Sequence, residues 1–238
     1  MHCLFLGNDN SVASGMKEFA KYFVLGFSAL LPLINFFGSA LELLGILGLG
    51  KDKPYKLLAK KIAVNTTLFL VAVALTGPYV LQFFGISIEV LQFVGGAVIA
   101  AMAWGLLNKA AGEKQMNDPS IRRAAEDSVA NFWQSKVFYP LTFPITVGPG
   151  SVAVMLTLSA QAKTFQFSGQ IGAFLGLFGC VALLSFMVFV FYAYAPFAAE
   201  KIPPALANGV LRIIAFLLIC IGVQIAWHGL RSLLASTP

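Results

Sequence analysis

Two stretches of this chain, Pro32-Leu33-Ile34-Asn35-Phe36-Phe37-Gly38-Ser39 and Pro144-Ile145-Thr146-Val147-Gly148-Pro149-Gly150-Ser151, share the spacing Pro-x5-Gly-Ser, and each sits inside a long apolar run. A helix broken in such a run leaves backbone groups without intrahelical partners. Lipid offers no replacement, so the break is tolerated only where protein or a water-filled cavity supplies one. Paired Gly/Pro interruptions at corresponding positions of two halves are also the sequence pointer to a transporter's binding site.

The apolar runs dominate the chain. Hydrophobic residues make up 58% of it and charged ones 11%, with a mean hydropathy of +0.83, which is too apolar for the surface of a soluble domain. A helix needs about 20 apolar residues to cross a bilayer core of ~30 Å. Six such runs can be placed, near residues 20–49, 62–84, 86–107, 137–160, 170–196 and 205–230. The expected fold is therefore an all-α integral membrane protein of six transmembrane helices. A cleaved signal peptide ending at Gly38-Ser39-Ala40 is the rival reading of the first run. The run continues through Leu41 to Leu49, which suits a span better than a short signal core.

Charge gives an orientation. Cytoplasmic loops are enriched in Lys and Arg. With the N-terminus outside, the inner segments hold Lys51, Lys53, Lys56, Lys60, Lys61, Lys109, Lys114, Arg122, Arg123, Lys136, Lys201 and Arg212, leaving Lys17, Lys21, Lys163 and Arg231 outside. Both termini are thus expected on the periplasmic side. The net charge of +6 is accounted for by these loops and gives no reason to expect nucleic acid as a partner.

Three runs precede the polar linker and three follow it, so the halves should lie in opposite orientations. Residues 1–107 form the N-terminal tail and first three-helix repeat, 108–136 a cytoplasmic linker, and 137–238 the second, inverted repeat. Run one, at about 30 residues and ~1.5 Å each, would be ~45 Å long as a straight helix, longer than the core it crosses. It is expected to break near Pro32 to Gly38. Run four holds Pro140, Pro144 and Pro149, each removing a helix hydrogen bond. Half-helices starting after Gly38 and Gly150 would place Ser39 and Ser151 near N-termini, where free N–H groups and the helix dipole favour a carboxylate.

Polar groups in the spans complete the candidate site. Asn35, Gly38, Ser39, Thr146, Gly148, Pro149, Gly150, Ser151 and Gln224 are the expected substrate-binding residues, their amides, hydroxyls and broken backbone suited to a carboxylate and an ammonium. Glu42, one helical turn past Gly38, is the expected coupling residue for Na+ or H+, with an ion pair to Arg212 as the structural alternative. Glu89, near the outer boundary, reads as a solvated charge. Gly95-Gly96 and Gly172-x3-Gly176 read as packing glycines.

The chain resembles the MarC family, also called NAAT or UPF0056, within the wider LysE-type transporter group. The resemblance covers nearly the whole length. It rests on Pro32 to Ser39, on Phe84-Gly85-Ile86-Ser87 leading to Gly95-Gly96, on Tyr139-Pro-Leu-Thr-Phe-Pro-Ile-Thr-Val-Gly-Pro-Gly150, and on Gly222-Val-Gln224. The family's first break is usually Asn-Pro-x-Gly, whereas here Phe36 stands in the proline's place. The resemblance implies a multi-pass protein of the bacterial inner membrane with inverted repeats. It also implies transport of small neutral amino acids such as alanine and glycine.

A secondary transporter working by alternating access around broken helices one and four is therefore the leading expectation. An exporter of drugs or metabolites, and a channel-like protein without coupled transport, are the alternatives. Oligomerisation with copies of itself is left open. No Walker A loop, H-E-x-x-H or G-x-S-x-G motif is present, and the three cysteines lack CxxC spacing, so no catalytic residue, metal or cofactor other than the coupling ion is assigned. If Glu42 couples, Glu42→Gln abolishes gradient-driven accumulation of substrate in proteoliposomes yet leaves exchange intact; normal accumulation removes it from the mechanism.

Overall fold

The computed structural model of the chain describes residues 6–34, 36, 38–40, 55–108, 137–163, 167–197 and 204–236. These residues contain no strand. They form helices α1 (Leu6–Leu33), α2 (Tyr55–Phe84), α3 (Ile88–Asn108), α4 (Pro149–Ala162), α5 (Phe167–Ala193) and α6 (Pro204–Ser236), with a wide-turned segment, Val137–Thr146, ahead of α4.

Among the described residues four helices are long and apolar enough to cross a membrane: α2, α3, and the Gly169–Ala193 and Gly209–Ala235 parts of α5 and α6. Val137–Thr146 and α4 meet at a bend of 74° and make a fifth span if taken together. The run expected at 20–49 is described as far as Ile34 and again at Phe36 and from Gly38 to Ala40. Asn35, Glu42 and linker residues 109–136 lie outside the described residues.

Helix and span differ at the ends for a physical reason. Hydropathy marks where a chain enters lipid, but backbone hydrogen bonding does not stop there. α1 begins at Leu6 and continues through a surface ion pair, Lys21 Nζ to Glu18 Oε2 at 3.7 Å. α2 likewise begins at Tyr55, with Lys56 and Lys60 exposed on its first turns.

The α2–α3 turn follows from its residues. Gly85 takes a left-handed φ of +65°, and the amides of Gly85 and Ile86 donate to the carbonyls of Gln82 and Leu81 at 3.2 and 2.9 Å, closing α2 in a Schellman motif. Ser87 then accepts from the Val90 amide at 3.3 Å, capping the first turn of α3, where Glu89 favours the positive end of the helix dipole.

Helices pair across the two halves. α1 runs parallel to α5: Gly172 fits against the backbone of Gly15, Gly176 against Phe19, and Gly26 against Leu177 and Cys180, while the rings of Phe36 and Phe191 lie 5.6 Å apart. α2 runs parallel to the broken segment and α4, since Phe69 meets Phe138 and Phe143, and Gly77 meets Leu156 and Ser159. α3 runs antiparallel to α6 in the most extensive contact of the fold. Gly96 and Gly222 let the two backbones touch there, each lying against main-chain atoms of the other helix. Instead of following α2 after its tight turn, α3 packs on α6 and α4.

The result is two bodies and a joint. α1, α2 and α5 enclose a core around Leu30, Ile62, Leu70, Leu177 and Leu184, all fully buried. α3 and α6 form the second body, and α4 touches α1, α2, α3 and α5. Exposed aromatics collect where helices end, Trp104, Tyr139 and Tyr194 on one side and Tyr79, Phe84 and Trp227 on the other, as at two membrane interfaces. Lys163, just past α4, sits 3.5 Å from the ring centroid of Tyr79 at the end of α2, a cation–π contact joining two helix ends on one side. A side chain at Gly96 would force α3 from α6. Gly96→Val is expected to cost about 1–3 kcal/mol or more in reversible unfolding of the detergent-solubilised protein, whereas Gly105→Val, with open space around its Cβ position, should stay near wild type.

Candidate functional site

The prolines of the fourth run break the chain where the sequence places them. Tyr139 and Phe143 precede Pro140 and Pro144, and both are extended, at φ −120°, ψ 123° and φ −122°, ψ 128°. Crowding by the proline ring drives the preceding residue out of the helical region.

Hydroxyls satisfy the carbonyls released by the break. Thr142 Oγ1 donates to the Val137 carbonyl at 2.8 Å, and Thr146 Oγ1 to the Leu141 carbonyl at 2.7 Å. The Val147 amide donates to the Thr142 carbonyl at 2.8 Å. Ser39, from the first Pro-x5-Gly-Ser stretch, reaches across to donate to the Ile145 carbonyl at 3.0 Å. Residues 106 positions apart in sequence thus join the first Pro-x5-Gly-Ser stretch directly to the break of the fourth run.

Several expected site residues are thereby given other work. Thr146 is fully buried, and its single hydroxyl proton goes to Leu141, so the hydroxyl of Tyr192, 2.8 Å away, is the donor of their shared bond. The broken segment's carbonyls at 137, 141, 142 and 145 all accept protein donors. A cation bound there would have to share their remaining lone pairs.

The half-helix after the second break starts at Pro149. Gly148 precedes it in an extended conformation and provides no side-chain cap. Pro149 has no N–H to leave unpaired, which is why proline suits this position. Gly150 and Ser151 follow in the first turn, where amides have no intrahelical acceptor. Gly150 is packed so closely that a Cβ there would lie 2.6 Å from Ile99 and 3.4 Å from Leu33. Ser151 is 1% exposed, and its hydroxyl has no hydrogen-bond partner among the described residues.

The two serines differ in a telling way. The repeat offset that aligns Ser39 with Ser151 aligns Ile145 with Leu33. Ser39 holds the carbonyl of Ile145, whereas Ser151, beside a glycine that touches the Leu33 side chain, holds nothing.

Immediately past Gly150 and Ser151 lies a cavity of about 420 Å³ between α1, α3, α4 and α6. Its deep wall includes Ala29, Gly95, Ile99, Ala153 and Val154; toward the helix ends it is lined by Gln92, Thr157, Gln161, Trp227 and His228. Gln224 is the one expected binding residue among its lining, and Ile99 links the cavity to Gly150. Gln92, Thr157 and Gln161 were missed by the sequence reading. A scan for amides and hydroxyls in apolar spans would have found them, but only packing shows that they face one space.

A model of the family described as MarC family integral membrane protein matches residues 20–234. The chain belongs to the MarC family. Relatives extend along nearly all of it. An Aquifex aeolicus protein named UPF0056 membrane protein is 27% identical over 227 residues, 94% of this chain and 99% of that one. The Escherichia coli K12 protein named UPF0056 inner membrane protein MarC is 25% identical over 223 residues, 92% and 98% of the two chains. A Bacillus subtilis member is 26% identical over 179 residues, 75% of this chain and 79% of its own. No solved structure matches. Within this MarC-family chain both Pro-x5-Gly-Ser stretches fall inside the matched region, and so do all the cavity residues.

Of the remaining polar candidates, Glu89 is half-buried in the first turn of α3 and Arg212 is exposed on α6. The bond between the broken segment and α5 is open to a direct test. A double-mutant cycle of Thr146→Val and Tyr192→Phe, read by unfolding in mild detergent, is expected to give a coupling of about 0.6 kcal/mol and at most ~1.7, the range of interhelical bonds in membranes. A coupling of zero would mean that the hydroxyls do not depend on each other.

Proposed function

We propose that this chain is a secondary transporter of neutral amino acids in the bacterial inner membrane, working by alternating access at the seam where its two broken spans meet. The observation that carries the reading is the hydrogen bond from Ser39 of the first Pro-x5-Gly-Ser stretch to Ile145 at the break of the fourth run, beside a polar-lined cavity. Kinship with LysE-type transporters belongs to the same reading. So do six crossings in two inverted repeats, both termini on the periplasmic side, and a Na+ or H+ coupling ion with Glu42 as its carrier. The inner-membrane location is supported by the name of the Escherichia coli relative.

The helix directions support the inverted arrangement. α1 and α5 are parallel, as are their repeat counterparts α4 and α2, while α3 pairs antiparallel with its own counterpart α6. These are the relations that six alternating crossings require. Because pairing crosses the halves, the moving bodies are α3 with α6 against the rest, rather than one half against the other. Glycine-lined backbone contact makes each body stiff, and the cavity lies on the seam between them.

The unequal serines supply a switch. In the described state Ser39 closes on Ile145 and Ser151 is free; in the opposite state Ser151 takes the carbonyl of Leu33 and Ser39 lets go. As the exchange proceeds, the Ser151 hydroxyl and the amides of Gly150 and Ser151, buried in the described state, open to the carboxylate of a substrate moving inward from the cavity. The test is uptake of labelled neutral amino acids, alanine and glycine among them, into proteoliposomes with sodium and proton gradients imposed separately. Uptake that follows one gradient, falls by about tenfold or more in Ser151→Ala and is lost in Gly150→Leu supports the reading. Absence of uptake of any neutral amino acid under both gradients overturns it.

A further inference from the structure

The cavity between α3, α4 and α6 selects among substrates by its shape and lining. We infer that it binds neutral amino acids with a large apolar side chain, of leucine or phenylalanine size, in preference to alanine and glycine. The inference rests on the transporter reading only in taking the cavity as one end of the substrate path.

Size is the first argument. At the roughly 30 Å³ that a water-sized group occupies in a liquid, a cavity of about 420 Å³ holds on the order of a dozen non-hydrogen atoms. Leucine and phenylalanine approach that number. Alanine would leave half the space to water or empty, and so would bury little apolar surface there.

The distribution of polarity is the second. Helix directions place Ile99, Val154 and Ala153 at the deep end, next to the second break, with Gly95 and Ile225 beside them. An apolar side chain removed from water there gains in proportion to its area. Gln92, Gln161 and His228 lie nearer the ends of α3, α4 and α6, and so at the mouth. Thr157 Oγ1 spends its proton on the Ala153 carbonyl at 2.9 Å, which leaves an acceptor facing an ammonium. Glutamine amides donate and accept, so they serve a carboxylate and an ammonium alike.

Charge is the third. Among the described residues, no Asp, Glu, Lys or Arg lines the cavity. An acidic or basic side chain would enter without a counter-charge, at a desolvation cost that a neutral one avoids. The lining therefore discriminates against charged amino acids as well as small ones.

The experiment is equilibrium binding of labelled leucine and alanine to the purified full-length protein in lipid nanodiscs. Leucine is expected to bind on the order of tenfold or more tightly than alanine, since its further carbons leave water. Thr157→Phe, which fills the cavity, should abolish the leucine advantage while the protein elutes as wild type in size exclusion. Gln161→Leu, at the mouth, should weaken both ligands and stands in for Thr157→Phe if that variant does not fold. Alanine binding as tight as leucine, a leucine advantage unchanged by folded Thr157→Phe, or leucine and alanine binding undiminished in Gln161→Leu overturns the inference. Leucine binding as expected with no uptake in proteoliposomes leaves the cavity assignment standing and removes the transport reading; uptake of alanine with no leucine preference does the reverse.

Discussion

The hydrogen bond from Ser39 to the Ile145 carbonyl is the contact on which the rest of this arrangement depends. Prolines at 140, 144 and 149 prevent a regular helix through the fourth apolar run, and the carbonyls they release stand in a region without water. Each one left unpaired would cost far more than an ordinary hydrogen bond returns. Two are met from within the segment by Thr142 and Thr146, and one by the Val147 amide. Among the described residues, Ile145 is met only by Ser39 of the first Pro-x5-Gly-Ser stretch. The first apolar run must therefore approach the fourth closely enough for a serine to reach a main chain, and Leu33 beside Gly150 records that approach.

Close approach of backbones is the second constraint, and it divides the molecule. Lipid is as apolar as leucine, so helices in a membrane associate through packing rather than through escape from water. Glycines provide that packing on both sides of the seam: Gly172 and Gly176 on α5 against α1, Gly96 and Gly222 between α3 and α6. Around α4 the fit changes character. It touches four helices, yet the face it turns to α3 and α6 leaves about 420 Å³ unfilled. A closely packed pair, a closely packed core and a gap between them are the geometry on which the proposed alternation of access rests.

Much of this was legible in the residues. Extended backbone at Tyr139 and Phe143 follows from the prolines after them, and the start of α4 from Pro149. The α2–α3 turn is written in Gly85 and Ser87, and the packing glycines at 95, 96, 172 and 176 were recognisable by spacing. The site was less legible. Thr146 carries the hydroxyl expected of a binding residue, but that hydroxyl is consumed by Leu141 and Tyr192. Ser39 and Ser151 look equivalent in sequence, yet one is bonded and the other is not. A motif states which groups are present; it does not state whether a neighbour has already taken them.

The sequence by itself determined that the chain lives in a membrane, where most of its helices run, and where the fourth apolar run must break, because hydropathy, proline and glycine act locally on the backbone. It also carries the family, since the matched pattern spans residues 20–234. Only the tertiary structure decided that helices pair across the halves, that Ser39 spends its proton on Ile145 while Ser151 keeps its own, and that Gln92, Gln161 and Gln224 share one cavity. Those outcomes depend on which helix faces lie together. Several packings can bury the same apolar residues, and hydrogen bonds formed between distant segments choose among them.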